Sequence, residues 1–336
     1  MKVLIVTALW PTAENPAFGS FVRSQVLSLQ RAGLDVETLV LSGRYRKMLY
    51  PKGVLQLRNR LADPSIDLVH AHYGYVGMVA RTQMKVPVVV TYHGDDVLGT
   101  INARGERTFF SMGVATAGRL LGRFVDAVIV QSEQMANRFS RSNVYIIPHE
   151  VDLEIFDPEE RNRSRTILGL DLQKKYVLFA SNPNVPVKRF PLAQAAAEQL
   201  RKEDPSVELL VIYKEPQPRL ALYMSACDAM LFPSYQEGSP NIIKQAMACC
   251  LPIVATDVGD VRQVIGGTKG CFVCNPTVDE FVSQLRQILG CQSRTDGREH
   301  VRHLDGPSVA RQVTHVYEEA LRRRTLSWST GKRKVV

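Results

Sequence analysis

The chain has no apolar run approaching the roughly 20 residues that a membrane-spanning helix requires, and no short internal repeat. It therefore offers neither a bundle of spans nor a solenoid. Cysteine is missing from the whole amino-terminal half, and all six, Cys227, Cys249, Cys250, Cys271, Cys274 and Cys291, come later. Cys271 and Cys274 make one CxxC with no second pair or histidine at zinc-ligand spacing, so buried structural thiols are expected rather than a metal or redox centre. No Asp-x-Asp pair is present either; Asp95 and Asp96 are adjacent rather than spaced. The opening residues, Met1-Lys2-Val3-Leu4-Ile5-Val6, run into a strand-like segment without a leader cleavage site, which predicts a cytoplasmic protein.

What is present suits two globular domains: 336 residues, 45% hydrophobic and 22% charged. Lysine and arginine outnumber the acids by 42 to 33, a net charge of +9. That excess fits a polyanionic ligand, whether a nucleotide diphosphate, an anionic membrane surface or nucleic acid, and alone does not choose among them. The densest basic runs, Arg322-Arg323-Arg324 and Lys332-Arg333-Lys334, fall at a polar carboxyl end that is expected to be solvated.

Short apolar strand candidates alternate with amphipathic helix candidates from end to end, the pattern of helices crossing over a parallel sheet. In the first half, strands are expected at Val3 to Ala8, Val36 to Leu41, Leu68 to His70, Val86 to Thr91, Ala127 to Val130 and Val144 to Ile147. Helices intervene at Phe18 to Ala32, Val76 to Gln83, Thr108 to Arg123 and Ser132 to Phe139, each with apolar residues at three- and four-residue spacing. After a linker, Pro148 to Pro158, the pattern restarts: strands at Tyr176 to Ala180, Leu209 to Ile212, Ala229 to Phe232, Ile253 to Ala255 and Gly270 to Val273. Helices are expected at Arg189 to Lys202, Arg219 to Ala226, Ile242 to Cys250 and Val278 to Leu289, with a last one at Ser308 to Arg322. The expected class is α/β, two doubly wound Rossmann-like domains with parallel sheets, and any ligand should lie at the carboxyl ends of strands facing a cleft.

One stretch carries the most chemistry. Cys227 to Ser234, then Tyr235-Gln236-Glu237-Gly238-Ser239-Pro240-Asn241, then Ile242 to Cys250 and Leu251 to Thr256 read as strand, tight acidic turn, helix, strand. The turn sets a carboxylate and free backbone N–H groups at a helix amino terminus, where the dipole favours phosphate, and Pro240 fits the first helical turn. An ordinary βα unit would read the same if the glycine stood alone.

The whole string resembles the signature of the retaining GT-B glycosyltransferases, the glycosyltransferase group 1 family, and within it the teichuronic-acid and envelope-polysaccharide branch. The resemblance covers nearly the whole chain, and it implies a GT-B fold, two Rossmann-like domains facing a deep cleft. It further implies an acceptor-side domain at 1–150, a nucleotide-sugar donor domain at 151–306, a closing helix at 307–324 packed back on the first domain, and a basic tail at 325–336. Carried over by position, Glu237 holds the donor sugar, Gly238, Ser239 and Asn241 offer groups near the phosphates, and Gln245 stands where the family has a second glutamate for the ribose. A glutamine there still accepts from one hydroxyl and donates to another.

The loop Ala180 to Phe190 matches the family's diphosphate-binding loop, with Lys188 on the phosphates; Pro183 replaces the family's arginine and Arg189 is a neighbouring substitute. Asn15 to Phe21 matches the glycine-containing first loop, which assigns Gly19 to the donor. His93, in Thr91-Tyr92-His93-Gly94-Asp95-Asp96, is carried over as a group beside the donor sugar, with Asp95 and His72 on the acceptor side. The linker reads Pro148-His149-Glu150-Val151-Asp152 where the family has Pro-Asn-Gly-Val-Asp, which predicts a different hinge turn.

The implied reaction is retaining transfer of a sugar from a UDP- or GDP-sugar to a hydroxyl of a glycan or lipid-linked acceptor. Lys188, Glu237 and His93 form the catalytic set, with no cofactor and no metal ion. Expected partners are the nucleotide sugar, the acceptor and an anionic membrane surface touched peripherally at its inner face, and not nucleic acid. Two alternatives remain: a noncatalytic donor-binding subunit of a glycosyltransferase complex, motivated by Gln245 and Pro183, and a GT-B phosphorylase or epimerase, which shares the architecture.

Overall fold

The computed structural model describes residues 1–41, 46–102, 105–291 and 293–329. Six strands form the first sheet: β1 (Lys2–Thr7), β2 (Asp35–Val40), β3 (Leu68–His72), β4 (Val88–Thr91), β5 (Ala127–Val130) and β6 (Val144–Ile146), in the order β2-β1-β3-β4-β5-β6. A second sheet holds β7 (Lys175–Phe179), β8 (Val207–Val211), β9 (Ala229–Phe232), β10 (Ile253–Thr256) and β11 (Cys271–Cys274), in the order β11-β10-β9-β7-β8. Every pairing is parallel.

Strand alternation explains why each sheet has two apolar faces. Leu4 and Val6 of β1 enter one core and Val3 and Ile5 the other; in β7, Tyr176 and Leu178 face opposite to Val177 and Phe179. Helices cover all four faces. One cover comes from the far end of the chain: Val309, Ala310, Val313, Val316, Tyr317 and Ala320 of the helix Gly306–Ser329 complete the core over Val3 and Ile5. Residues 309–320 are thus part of the first sheet's core.

That helix corrects one expectation. It runs to Ser329, so Arg322-Arg323-Arg324 and the first residues of the supposed tail are helical; residues 330–336, with Lys332-Arg333-Lys334, lie outside the described ones. Arg323 donates to the Tyr145 hydroxyl at 3.2 Å and Arg324 to the Met84 carbonyl, which ties these two to the first sheet's edge, while Arg322 stays exposed and pairs with Glu319. The CxxC also resolves. Cys271 and Cys274 sit three apart on β11 and face opposite cores, half-buried rather than fully buried, with burial pushing both thiols up to about 12. No described helix is long and apolar enough to cross a membrane.

Both sheets have one place where the strand order turns back, between β1 and β3 and between β7 and β9. Loops leaving the carboxyl ends of the two flanking strands diverge there and leave a crevice. The loops after β1, β3 and β4 from one domain, and after β7, β8 and β9 from the other, face each other across it.

Candidate active site

The facing loops enclose a cavity of about 780 Å³. The first loop, after β1, needs Gly19: its φ is +69°, and a Cβ there would lie 2.5 Å from the Leu9 carbonyl carbon. After β4, the Asp96 carboxylate accepts from the amides of Gly74, His93 and Gly94 at 3.0, 3.0 and 3.1 Å, and so fixes the turn that presents His93 and Asp95. Burial outweighs the lowering effect of backbone hydrogen bonds such as those from Gly74 and His93 and pushes Asp96 up to about 6.

From the other domain, the turn Pro186–Lys188 after β7 delivers Lys188, and the loop after β9 delivers Glu237. Lys188 Nζ lies 2.6 Å from Glu237 Oε1 across this second switch point. Asp95 faces the same pair from the first domain: burial raises its pKa, Glu237 raises it further and Lys188 opposes. One cation therefore stands among two carboxylates at the centre of the cleft.

Gly238 is required by the domain contact itself. A Cβ on it would approach Met135 Sδ to 2.9 Å and Gly94 Cα to 3.2 Å, so two glycine backbones meet where the domains close. Gly259, at φ +60°, packs beneath, where a Cβ would lie 2.6 Å from the Gly238 carbonyl oxygen. Ser239 lines the cavity, but its hydroxyl is engaged with Asp260 and with fully buried Lys244, whose ammonium also sits 3.4 Å from Asp260. Asn241 opens the helix Asn241–Ala248 with Pro240 at its cap, one residue before the first turn, and Gln245 reaches the cavity one turn on.

Gly19, His93, Asp95, Lys188, Glu237, Gly238, Ser239, Asn241 and Gln245 thus converge on one cavity, and two expected residues do not. Arg189 is in the left-handed region at φ +50°, stacks on the Tyr235 ring at 4.1 Å and donates to the Pro276 carbonyl at 3.2 Å, turned away from the lysine beside it. His72 is buried beneath His93 and lines no acceptor surface. Its neighbour Tyr73 lines both the cleft and a side cavity of about 440 Å³ that opens from it past Asp95, walled by Phe18, Tyr50, Tyr75 and Phe110.

The histidines form a row running from buried His70 and His72 to half-buried His93 and His149 at the cleft. His93 Nε2 meets His72 Nδ1 at 3.2 Å, and His93 Nδ1 meets His149 Nε2 at 3.1 Å; next to His72, His70 joins the Thr91 and Tyr317 hydroxyls at 2.7 and 2.6 Å. Burial depresses all four, His72 to about 3, so the rings are neutral and each contact shares one proton. Both ring nitrogens of His93 are therefore engaged inside the row. His149, which sequence reading treated only as a backbone change in the linker, lines the cleft beside it. Neither His149 nor Glu150 has positive φ, so the missing glycine leaves no strain in the linker. Tyr213, Lys214 and Glu215, after β8, also line the cavity and were missed, although the rule of strand carboxyl ends points to them.

Glu150 continues the linker beneath Ser28, whose hydroxyl donates to it at 2.8 Å, and burial pushes the carboxyl up to about 7. A raised carboxyl pKa favours the protonated fold: its stabilisation is full below the ordinary carboxylate range and is lost as pH rises through about 7. Glu150→Gln is therefore expected to match wild type near pH 4.5 and to exceed it at pH 8 by up to about 3 kcal/mol. Urea midpoints across that range measure it, and parallel pH curves for the two proteins would refute the assignment.

Two parallel-sheet domains facing each other across a cleft at the strand carboxyl ends, with a lysine between carboxylates inside it, have the two-domain GT-B architecture. Comparison with known proteins agrees. Residues 3–151 match the glycosyl transferase 4-like domain and residues 189–291 match glycosyl transferases group 1. The chain belongs to the group 1 glycosyltransferases.

Among its relatives, TuaC of Bacillus subtilis (strain 168), a glycosyltransferase named for teichuronic acid biosynthesis, is 25% identical over 330 residues, 79% of this chain and 83% of that protein. A D-inositol 3-phosphate glycosyltransferase of Mycobacterium marinum is 26% identical over 74% of this chain and 61% of its own length. In fold, sucrose-phosphate synthase from Thermosynechococcus elongatus superposes with a TM-score of 0.77 at 21% identity, covering 95% of this chain and 99% of that one. The Anabaena protein Alr3699/HepE in complex with UDP-glucose reaches 0.70 at 15% identity, over 95% and 99% of the two chains.

Proposed function

We propose that this enzyme transfers a sugar, with retention of anomeric configuration, from a UDP- or GDP-sugar bound in the cleft to a hydroxyl of a glycan or lipid-linked acceptor entering through the side cavity. The observation that carries the donor reading is the Lys188–Glu237 contact of 2.6 Å, beside the amino terminus of the helix Asn241–Ala248. When the bond from the anomeric carbon to the diphosphate breaks, charge develops on the departing oxygens. The Lys188 ammonium and the amides from Ser239 onward are preorganised cationic and dipolar partners for it. Glu237 accepts from sugar hydroxyls, and Gln245 holds the ribose.

Arg189 is left out of this set, because its side chain is committed to Tyr235 and Pro276. His93 acts as a wall with a fixed ring rather than as a proton donor, since both its nitrogens are occupied by histidines. Asp95 stands where the cleft meets the side cavity and accepts from an acceptor hydroxyl next to the attacking one, which orients the acceptor. The new C–O bond forms from that hydroxyl, and its proton leaves with the departing phosphate oxygen. No metal ion is needed in this scheme, since Lys188 supplies the cation.

The retaining outcome rests on the group 1 pattern around Glu237, and UDP is supported by the UDP-glucose complex of Alr3699/HepE. Proton NMR of the first product formed tests it: an axial donor should give an axial product, with the rate unchanged in EDTA. An inverted product, or loss of activity on chelation, would contradict the proposal.

A further inference from the structure

The helix Phe109–Leu121 is apolar on the side that faces solvent. Its 13 residues, FFSMGVATAGRLL, carry one charge, Arg119, and no acid. Ser111, Ala115, Gly118 and Leu121 are buried against the first domain. The opposite stripe, Phe109, Met112, Thr116 and Leu120, continued by Phe124, steps by three and four residues along the exposed side. Phe109 is 93% exposed, Phe110 81%, Met112 and Leu120 49%, and Phe124 43%. A surface helix ordinarily turns such residues inward.

Beside its carboxyl end lies a shallow cavity of about 300 Å³ lined by Arg119, Arg123, Arg138 and Arg141. None of these four makes an ion pair among the described residues, and the chain between Glu106 and Asp126 holds no acid; Arg119 donates to the Ala115 carbonyl and Arg141 to the Gly122 carbonyl, so Arg123 and Arg138 are the cations this helix end does not use. Asp126 is itself paired with Arg324. A helix carboxyl end alone would account for one or two cations. It accounts for Arg119 and Arg141, and not for Arg123 and Arg138 converging beside them next to a row of exposed apolar side chains.

Two requirements follow from that pairing of chemistries. The partner must present phosphate-like anions to the arginines and a fluid apolar phase to side chains that stand up separately instead of forming a groove. We propose that this face docks on a bilayer containing anionic phospholipid, with Phe109, Met112, Leu120 and Phe124 entering the interface and the arginines binding lipid phosphates. A nucleic acid or an acidic protein would use the arginines and leave the phenylalanines in water. The inner edge of the same helix gives Phe110, Ser111 and Val114 to the side cavity, so docking brings that cavity to the membrane surface. The proposal stands whichever sugar is transferred.

Flotation of the full chain with phosphatidylcholine vesicles, with and without phosphatidylglycerol, is the test. Wild type is expected to float only with the anionic vesicles. Phe109→Ser with Leu120→Ser, and separately Arg123→Glu with Arg138→Glu, should each lower the bound fraction about tenfold or more, with thermal midpoint and donor hydrolysis in solution unchanged. Failure to float at low salt would overturn the proposal, as would flotation indifferent to the serine pair, which would mark simple adsorption of a basic protein. Loss of donor hydrolysis in wild type would instead bear on the cleft.

Discussion

Lys188→Ala is expected to lower kcat/KM for sugar release from the donor by about 10²- to 10³-fold, the usual cost of deleting a group that meets charge developed in the transition state. Two effects act together. The departing diphosphate loses its ammonium, and Glu237 and Asp95 are left facing each other with no cation between them. Lys188→Arg should restore part of the rate, because charge is kept while the reach changes. Glu237→Ala should be equally severe in kcat without restoring donor affinity, since it removes the acceptor for sugar hydroxyls. Steady-state hydrolysis by the three variants measures this, and a Lys188→Ala enzyme within a few-fold of wild type would remove the lysine from the chemistry.

Lys244→Met is expected to destabilise the fold by about 3–5 kcal/mol, the typical cost of breaking a buried pair from one side. Lys244 has no exposed surface, burial lowers its pKa, and its ammonium is held by Asp260 and the Ser239 hydroxyl. Without it, Asp260 keeps a charge 8% exposed, and one of its oxygens, Oδ1, has no hydrogen-bond partner even now. Lys244→Met combined with Asp260→Ala should recover most of the loss, because the stranded charge goes with its partner. Urea unfolding of the single and double variants reads this directly. The pair also braces Ser239, so the single variant should raise KM for the donor more than it lowers kcat.

The strands were legible because parallel strands buried on both faces read as continuous apolar runs, as in Leu4-Ile5-Val6 and Val88-Val89-Val90. The helix Arg46–Arg60 was not, since Pro51 and Gly53 interrupt its pattern. A Cβ on Gly53 would lie 3.2 Å from both Leu41 methyl groups, so a larger residue there requires Leu41 to shift. Arg161–Leu168 was hidden by its polarity: it begins at a Glu160 cap and buries Arg165 against Asp228 at 2.8 Å, an ion pair that leaves no hydrophobic period.

In the cleft, Lys188, Glu237, Gly19 and Asp95 were legible through the family resemblance, and they converge because loops after strands at a switch point face the crevice. Arg189 was misplaced because adjacency in sequence says nothing about direction across a left-handed residue. His72 was misplaced by parity. His70 and His72 share one face of β3, toward the closing helix, and Tyr73 takes the other side, toward the side cavity. His149 was invisible as a site residue because it reaches the cleft through the linker, which no periodic pattern describes.

The central claim is that the cleft around Lys188 is the donor site. Thermal shift of wild type and Lys188→Ala with a panel of UDP- and GDP-sugars tests it most directly. The account predicts that one donor class raises the wild-type midpoint in a concentration-dependent way and leaves the variant unmoved. A wild type that responds to no nucleotide sugar, or a variant stabilised as strongly as wild type, would contradict it.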